Sequence, residues 1–332
     1  MRSSYEPCLY WSDKLMVIVY VDDILIAFEH ESELAKLLQF LSNHENQFIV
    51  KNLGPVSHFL GINITRQGNV FYLNQESYIK SLADRFEISA SSKELCPLPS
   101  GILIDETPTE KPIRELIGAL NYVAHWTRPD ICAAVNLLSR KMHNPTLGIW
   151  KNSIQVLRYL LSTSNWKFKI QSTNEDCEIY ADADFATDKD GRSSQSGVLI
   201  KVFGTAVFWS STKQKCKATS SSEAELIAAS KAIKEAAGLR NVLNEINLPI
   251  KLPMILFEDN KNCLHYLKNS CPKHIDIDRK FNEDKILRGI VKPVYLESSK
   301  QLADILTKVG CKNNYKYFIS DLCLVKGEVL EV

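Results

Sequence analysis

The chain has 332 residues, room for two domains at about 100–200 residues each. With 45% hydrophobic and 24% charged residues, 13 Gly and 12 Pro, it is neither disordered, collagen-like nor of low complexity. Lys and Arg total 40 against 39 acids, so a net charge of +1 excludes a polycationic clamp but leaves a locally basic surface open. No basic run followed by a long apolar core opens the sequence, so a secretory leader is not expected. The most apolar run, Leu15 to Val21, is far short of the roughly 20 residues of a membrane helix, and no membrane partner is expected. Nine scattered cysteines without a CxxC pair predict free thiols in a reducing compartment. Cys263, His265, Cys271 and His274 match no usual zinc spacing, and a buried Cys beside a surface His is the preferred reading.

In chain order, residues 15–28 read as two β-rich runs joined at Asp22 and Asp23, a hairpin whose tip carries two acids. Leu34, Leu37, Leu38 and Leu41 give helical spacing over 31–46. Strands are predicted at 58–64 and 70–73, then a helix over 75–86. Residues 89–112, with Pro97, Pro99, Pro108 and Pro112, form the best linker candidate. Helices follow over 113–144 and 147–163, broken at Arg128-Pro129.

A second architecture begins near Asn174. Strands at 177–185, 196–203 and 205–212 precede one long or two consecutive helices over 221–246, with Ser221 or Ser222 as the cap. A strand at 253–258, a helix at 260–268, a strand at 292–297 and a helix at 299–308 complete the pattern. This order predicts a mixed sheet covered by helices, an α/β (α+β) fold.

Four acids fall at element ends: Asp182, Glu225, Asp259 and Asp304. Asp184 rivals Asp182. Glu223 reads equally as a first-turn acid favoured by the helix dipole. Converging carboxylates repel one another and call for a cation, and hard oxygen ligands select Mg²⁺ or Mn²⁺. Such ions can activate water and stabilise a leaving phosphodiester oxygen. Lys213, Lys215 and Lys217 alternate, so an extended segment would point all three to one face, as a phosphate-tracking stripe or simply a solvated strand face.

The stretches YADADFATDKDGRSSQSG, WSSTKQKCKATSSSEAELIAAS, LFEDNKNCLHYLKN, KHIDI and SKQLADILTK resemble the ribonuclease H of copia-type (Ty1/copia) retrotransposons. The resemblance implies metal-ligand roles for Asp182, Glu225, Asp259 and Asp304, the context Ala-Glu-Leu-Ile-Ala favouring Glu225 over Glu223. It makes His274 a candidate mobile catalytic histidine. Phe185 and Val309 depart from the Trp and Pro usual in that family.

Tyr20-Val21-Asp22-Asp23 in its apolar hairpin resembles the catalytic, metal-binding hairpin of reverse transcriptases. FIVKNLGPVSHFLGINI, LIGALNYVAHWTRPDICAAVN and VLRYLL continue the resemblance to copia-type polymerase in the same order, so that it covers about residues 5–310. It places Phe59 and Gly61 in a primer-gripping, nucleic-acid-binding region. The implied division is a truncated palm at 1–95, thumb and connection helices at 96–173, a ribonuclease H-like domain at 174–310 and a tail at 311–332. The fingers and the first polymerase aspartate of the family are not found upstream of Asp22, so polymerase activity is not expected. The expected function is Mg²⁺- or Mn²⁺-dependent cleavage of the RNA strand of RNA–DNA hybrids, with other Pol fragments as further partners. The alternative is a non-catalytic nucleic-acid-binding relic of a decayed element. The resemblance implies an intracellular location, in a cytoplasmic virus-like particle or the nucleus.

Overall fold

The computed structural model describes residues 1–43, 49–89, 96–98, 103–186, 191–268, 276–310 and 315–327. Its first sheet is a meander of β1 (Leu9–Ser12), β2 (Leu15–Tyr20) and β3 (Asp23–Phe28), followed by helix α1 (Glu31–Asn43). The pair Tyr20–Asp23 closes the β2–β3 hairpin, leaving Val21 and Asp22 as its turn. Asp23 is therefore the first strand residue rather than part of the tip. Val21 has φ +51°, a left-handed conformation costing a β-branched residue about 1–3 kcal/mol. The meander touches the body through Glu245, whose Oε1 accepts from Ser4 N at 2.8 Å and from Ser4 Oγ at 2.7 Å.

The next elements are β4 (His58–Phe59), β5 (Ile62–Gln67), β6 (Val70–Asn74) and α2 (Glu76–Arg85). Then come α3 (Ile113–Trp126), a 3-10 turn (Pro129–Ile131), α4 (Cys132–Ser139), α5 (Leu147–Ser162) and β7 (Trp166–Ile170). The second half supplies β8 (Cys177–Asp184), β9 (Gln195–Val202), β10 (Thr205–Lys213), α6 (Ser221–Glu245), β11 (Met254–Glu258), α7 (Lys261–Lys268), α8 (Asp276–Leu287) and β12 (Val291–Tyr295). Two 3-10 turns (Ser298–Lys300 and Leu302–Leu306), α9 (Tyr315–Asp321) and β13 (Leu324–Lys326) end the described chain. No described helix is long and apolar enough to cross a membrane.

The central sheet has the order β10-β9-β8-β11-β12. β8, β9 and β10 pair antiparallel, whereas β11 runs parallel to both β8 and β12. Residues alternate between its faces, as strand geometry requires. Ile179, Ala181, Val198, Ile200 and Leu256 pack against the alanine-rich face of α6, which includes Ala228, Ala229 and Ala232. Tyr180 and Leu199 point the other way, into a core shared with α3, α4 and α5. Small side chains on α6 let helix and sheet approach closely. On β9, a Cβ at Gly197 would come within 2.7 Å of Ala303 O, so glycine lets the second 3-10 turn lie directly on the strand.

The other five-stranded sheet, β13-β7-β6-β5-β4, draws strands from three of the four segments expected from the sequence. β6 lies before residue 95, β7 lies in the thumb-connection segment, and β13 lies in the expected tail. The expected linker also departs from its reading. Leu98 is buried, and Asn152 pins Leu103 by accepting from its N–H and donating to its carbonyl. Cys96 is buried and disulfide-bonded, because folding places it beside a second sulfur that spacing alone does not reveal. Free thiols persist at Cys8, Cys132, Cys177, Cys216, Cys263 and Cys323.

A buried ion pair staples the helical layer. Arg128 donates to Asp130 through Nε at 2.9 Å and Nη2 at 2.7 Å, and Nη2 reaches Thr163 Oγ1 at 2.8 Å. Tyr159 also donates to Asp130 Oδ2 at 2.7 Å, and the guanidinium lies 5.3 Å from the Tyr159 ring and 5.2 Å from that of Trp166. The Thr-Arg-Pro-Asp-Ile stretch is thus structural: it locks α5 to the start of α4.

Candidate metal centre

Three carboxylates meet at one end of the central sheet. Asp182 comes from β8, Glu225 from the start of α6 and Asp259 from the residue after β11. Each offers an oxygen, and these lie within 4.8 Å of one another. Asp182 and Glu225 are buried, and Asp259 is partly so. Among the described residues this is the one such group of three or more metal-capable side chains.

Local chemistry sends Glu225 there rather than Glu223. Ser220, one residue before the two expected caps, accepts from Glu223 N at 3.2 Å. The Glu223 carboxylate in turn accepts from Thr219 N at 2.7 Å and is held in the helix cap. Glu225 has no such duty, and its Oε2 is buried without a hydrogen-bond partner. An orphaned carboxylate oxygen in an acidic group is what a cation would satisfy. The neighbouring Glu258 is fully buried too; its Oε1 accepts from Asn260 N at 3.0 Å and its Oε2 is also unpartnered.

Electrostatics mark the same spot. Burial, reinforced by Asp182, Glu258 and Asp259, pushes Glu225 up to about 10. Burial pushes Asp182 up to about 6, with Lys308 opposing and Asp304 and Asp259 adding. Glu258 rises to about 8, again chiefly through burial. Burial also drives up the thiol of Cys263, beside Glu258. Even with Lys308 beside Asp182, the group is short of positive charge and fits a divalent cation with hard oxygen ligands.

The fourth expected ligand, Asp304, is close but differently engaged. The expected helix over 299–308 is two 3-10 turns divided at Gln301. In that geometry the Asp304 carboxylate is hydrogen-bonded by Lys308 Nζ, and Asp304 is not part of the group of three. Lys308 Nζ also lies 3.4 Å from Asp182 Oδ2, which Thr307 Oγ1 holds as well. Burial works against the Lys308 charge, but Asp182 and Asp304 outweigh it and raise its pKa. Lys308, Thr307 and Glu258 are site residues that the sequence reading missed. The spacing of Asp304 and Lys308, four apart, is the signal that could have found the first of them. Asp184 ends β8 and is not in the group, and His274 lies outside the described residues, as does Cys271.

The expected nucleic-acid contacts separate into two regions. Lys213, Lys215 and Lys217 are all exposed, but the strand stops at Lys213 and a bend follows. The buried Gln214 causes this by donating to Ser196 Oγ at 2.9 Å and Ala224 O at 2.8 Å, which anchors the segment between β9 and α6. Lys217 lines a cleft of about 540 Å³ with Phe185, Ala186, Gly191, Arg192 and Ala218. Phe59 and Gly61 belong to the β4–β5 hairpin instead, where Leu60 and Gly61 both have positive φ. Tyr122 donates to Leu60 O, and a Cβ at Gly61 would approach the Tyr122 hydroxyl at 2.9 Å. The glycine thus has a packing reason of its own. Asp22 and Asp23 are exposed at the end of the meander, and among the described residues no third metal-capable side chain groups with them.

Comparison with known proteins places these features in a lineage. The family model for reverse transcriptase (RNA-dependent DNA polymerase) matches residues 6–100. The retrovirus-related Pol polyprotein from transposon TNT 1-94 of Nicotiana tabacum is 31% identical, over 95% of this chain and 25% of that protein. A transposon Ty5-1 protein of Saccharomyces cerevisiae is 31% identical over 67% of this chain and 73% of its own length. A solved foamy viral protease-reverse transcriptase, in complex with double-stranded DNA, has a TM-score of 0.48 and 14% identity, covering 85% of this chain and 46% of that one. The chain spans about a quarter of the tobacco polyprotein. With matched segments extending from the hairpin through the carboxylate sheet, the chain belongs to the copia-type retrotransposon Pol polyproteins.

Proposed function

We propose that the second half of this chain is a ribonuclease H, cleaving the RNA strand of RNA–DNA hybrids, and that Asp182, Glu225 and Asp259 hold its Mg²⁺ or Mn²⁺. The observation that carries this reading is the gathering of three acids, two of them buried, with an unpartnered carboxylate oxygen on Glu225. Bound there, a divalent cation would supply Lewis acidity and a water more readily deprotonated. The chain's own residues do the rest. Thr307 and Lys308 fix one oxygen of Asp182, so its other oxygen is the one directed to ligation. Arg192 and Lys217 beside the cleft, with Lys213 and Lys215 on the same connection, provide cations for the phosphates of a hybrid. Phe185, half-exposed in that cleft, offers a ring against a sugar or base.

The test is incubation of the full chain with an end-labelled RNA–DNA hybrid and Mg²⁺. Cleavage confined to the RNA strand, lost in Asp259→Asn, is expected. Cleavage that survives Asp259→Asn sinks the assignment. The engagement of Asp304 by Lys308 favours one second reading, a protein that binds hybrids without turning them over. Salt-sensitive hybrid binding with no cleavage by the wild-type chain is its signature. No polymerase step is assigned to Asp22 and Asp23.

A further inference from the structure

β8 and β11 share a ladder only as far as the pair Tyr180–Phe257. Beyond it they part. β8 stays with β9 to Asp184–Gln195, while β11 stays with β12 to Glu258–Tyr295. Asp182 and Asp259 both lie past this fork, where the shared ladder no longer sets their separation.

One side chain sits in the fork. Gln301 is fully buried. Its Nε2 donates to Ala181 O at 2.9 Å, next to Asp182, and to Phe257 O at 3.4 Å, two residues before Asp259. Its Oε1 accepts from Ala303 N at 3.3 Å and caps the 3-10 turn. That turn leads directly into Thr307, whose hydroxyl holds Asp182. A primary amide suits this place because it carries two donors and an acceptor on one rigid plane. A carboxylate could donate to neither carbonyl when ionised. An apolar side chain would leave two buried carbonyls without this donor.

We propose that Gln301 is a positioning residue for the metal centre. It bridges β8 and β11 where their own pairing ends and so sets the distance between the Asp182 and Asp259 carboxylates. The inference rests on the metal-site reading above and deepens it; Gln301 itself touches neither ion nor substrate.

The test uses the full chain, with Gln301→Leu and Gln301→Asn beside wild type. Mn²⁺ binding is measured by calorimetry, melting is followed in EDTA, and hybrid cleavage is measured across Mn²⁺ concentrations. Gln301→Leu is expected to weaken Mn²⁺ binding by roughly 10–100-fold, as loss of a residue supporting metal ligands does. Its cleavage should recover at high Mn²⁺ with the hybrid KM unchanged. Gln301→Asn keeps the donors but falls one methylene short, and a smaller loss in the same direction is expected. Should the Leu variant not fold, the Asn variant decides by the same comparison. Melting lowered in EDTA with Mn²⁺ affinity at the wild-type value overturns the proposal, since Gln301 would then only brace the fold. A wild-type chain that binds no Mn²⁺ removes the metal-site reading and this inference together. Wild-type binding matched by both variants removes the inference alone.

Discussion

Two acidic sites in this chain are built from the same materials and end in opposite environments. Asp22 and Asp23 close a hairpin in a three-stranded meander, beside Tyr20 and Val21, which are 55% and 83% exposed. Asp182, Glu225 and Asp259 come from a strand, a helix and the residue after a second strand, around a continuous core. Water solvates the first pair. The second group is driven out of water by packing, and its charge must be answered from within the protein or by a cation. Strand-end carboxylates are therefore not alike in consequence: burial converts an acidic cluster from a surface feature into a demand for positive charge.

The widest contrast between the two sites is expected in cleavage. Glu225→Gln should lower hybrid cleavage by roughly 100-fold or more, taking metal-supporting effects as the floor. Asp22→Asn with Asp23→Asn should leave it unchanged. Equal losses in both variants, read from initial rates on the same hybrid, would erase the distinction drawn above.

Stability should divide along the same line. Arg128→Met strands Asp130 in the core and is expected to cost about 3–5 kcal/mol in urea unfolding, the usual result of halving a buried pair. Gly197→Ala forces the 3-10 turn off β9, with an expected cost of about 1–3 kcal/mol. That variant should also bind Mn²⁺ more weakly, since Asp304, Thr307 and Lys308 lie on or just after the displaced turn. Asp22→Asn should stay within about 0.5 kcal/mol of wild type. A cost for Asp22→Asn as large as that for Gly197→Ala would show that the meander is more deeply integrated than its exposure indicates.

The pH dependence sharpens the comparison further. Asp182 and Glu225 have folded-state pKa values above those of the unfolded chain. Their contribution to stability is full below the ordinary carboxylate range. It is lost as pH rises through about 6 for Asp182 and on toward about 10 for Glu225. Metal-free melting temperature should therefore fall between about pH 5 and about pH 9, and saturating Mg²⁺ should remove much of that fall. A melting temperature that rises over this range without metal would contradict the electrostatic picture.

Much of the central sheet was legible because its signals are local. The alternation in Tyr180-Ala181-Asp182-Ala183-Asp184 and the capped start of α6 announce their elements directly, and three of the four acids expected there do gather. β7 and β13 were not legible. Their runs are short, and what makes them strands is each other and β6, far away in the chain. The 3-10 turns escaped for a related reason. Leu302-Ala303-Asp304-Ile305-Leu306 has the composition of a helix, but Gln301 caps the segment while bonded to two strands, and Gly197 draws it flat onto a third. Tertiary bonds override local preference there, and Asp304 sits on that turn beside the group of three, hydrogen-bonded by Lys308.

The pairing of β13 with β7 and of β7 with β6 has a kinetic consequence. Leu324 must find Phe168, and Phe168 must find Leu73. Contacts that span such lengths of chain are slow to form, because loop-closure entropy must be overcome before any hydrogen bond rewards it. During synthesis from the N-terminus, β6 and β7 wait with an unpaired edge until Leu324–Lys326 emerges from the ribosome. This sheet is thus completed only after every element from β8 to α9 has been made, and until then its open edge is the place where a nascent chain can pair with a neighbour instead of with itself.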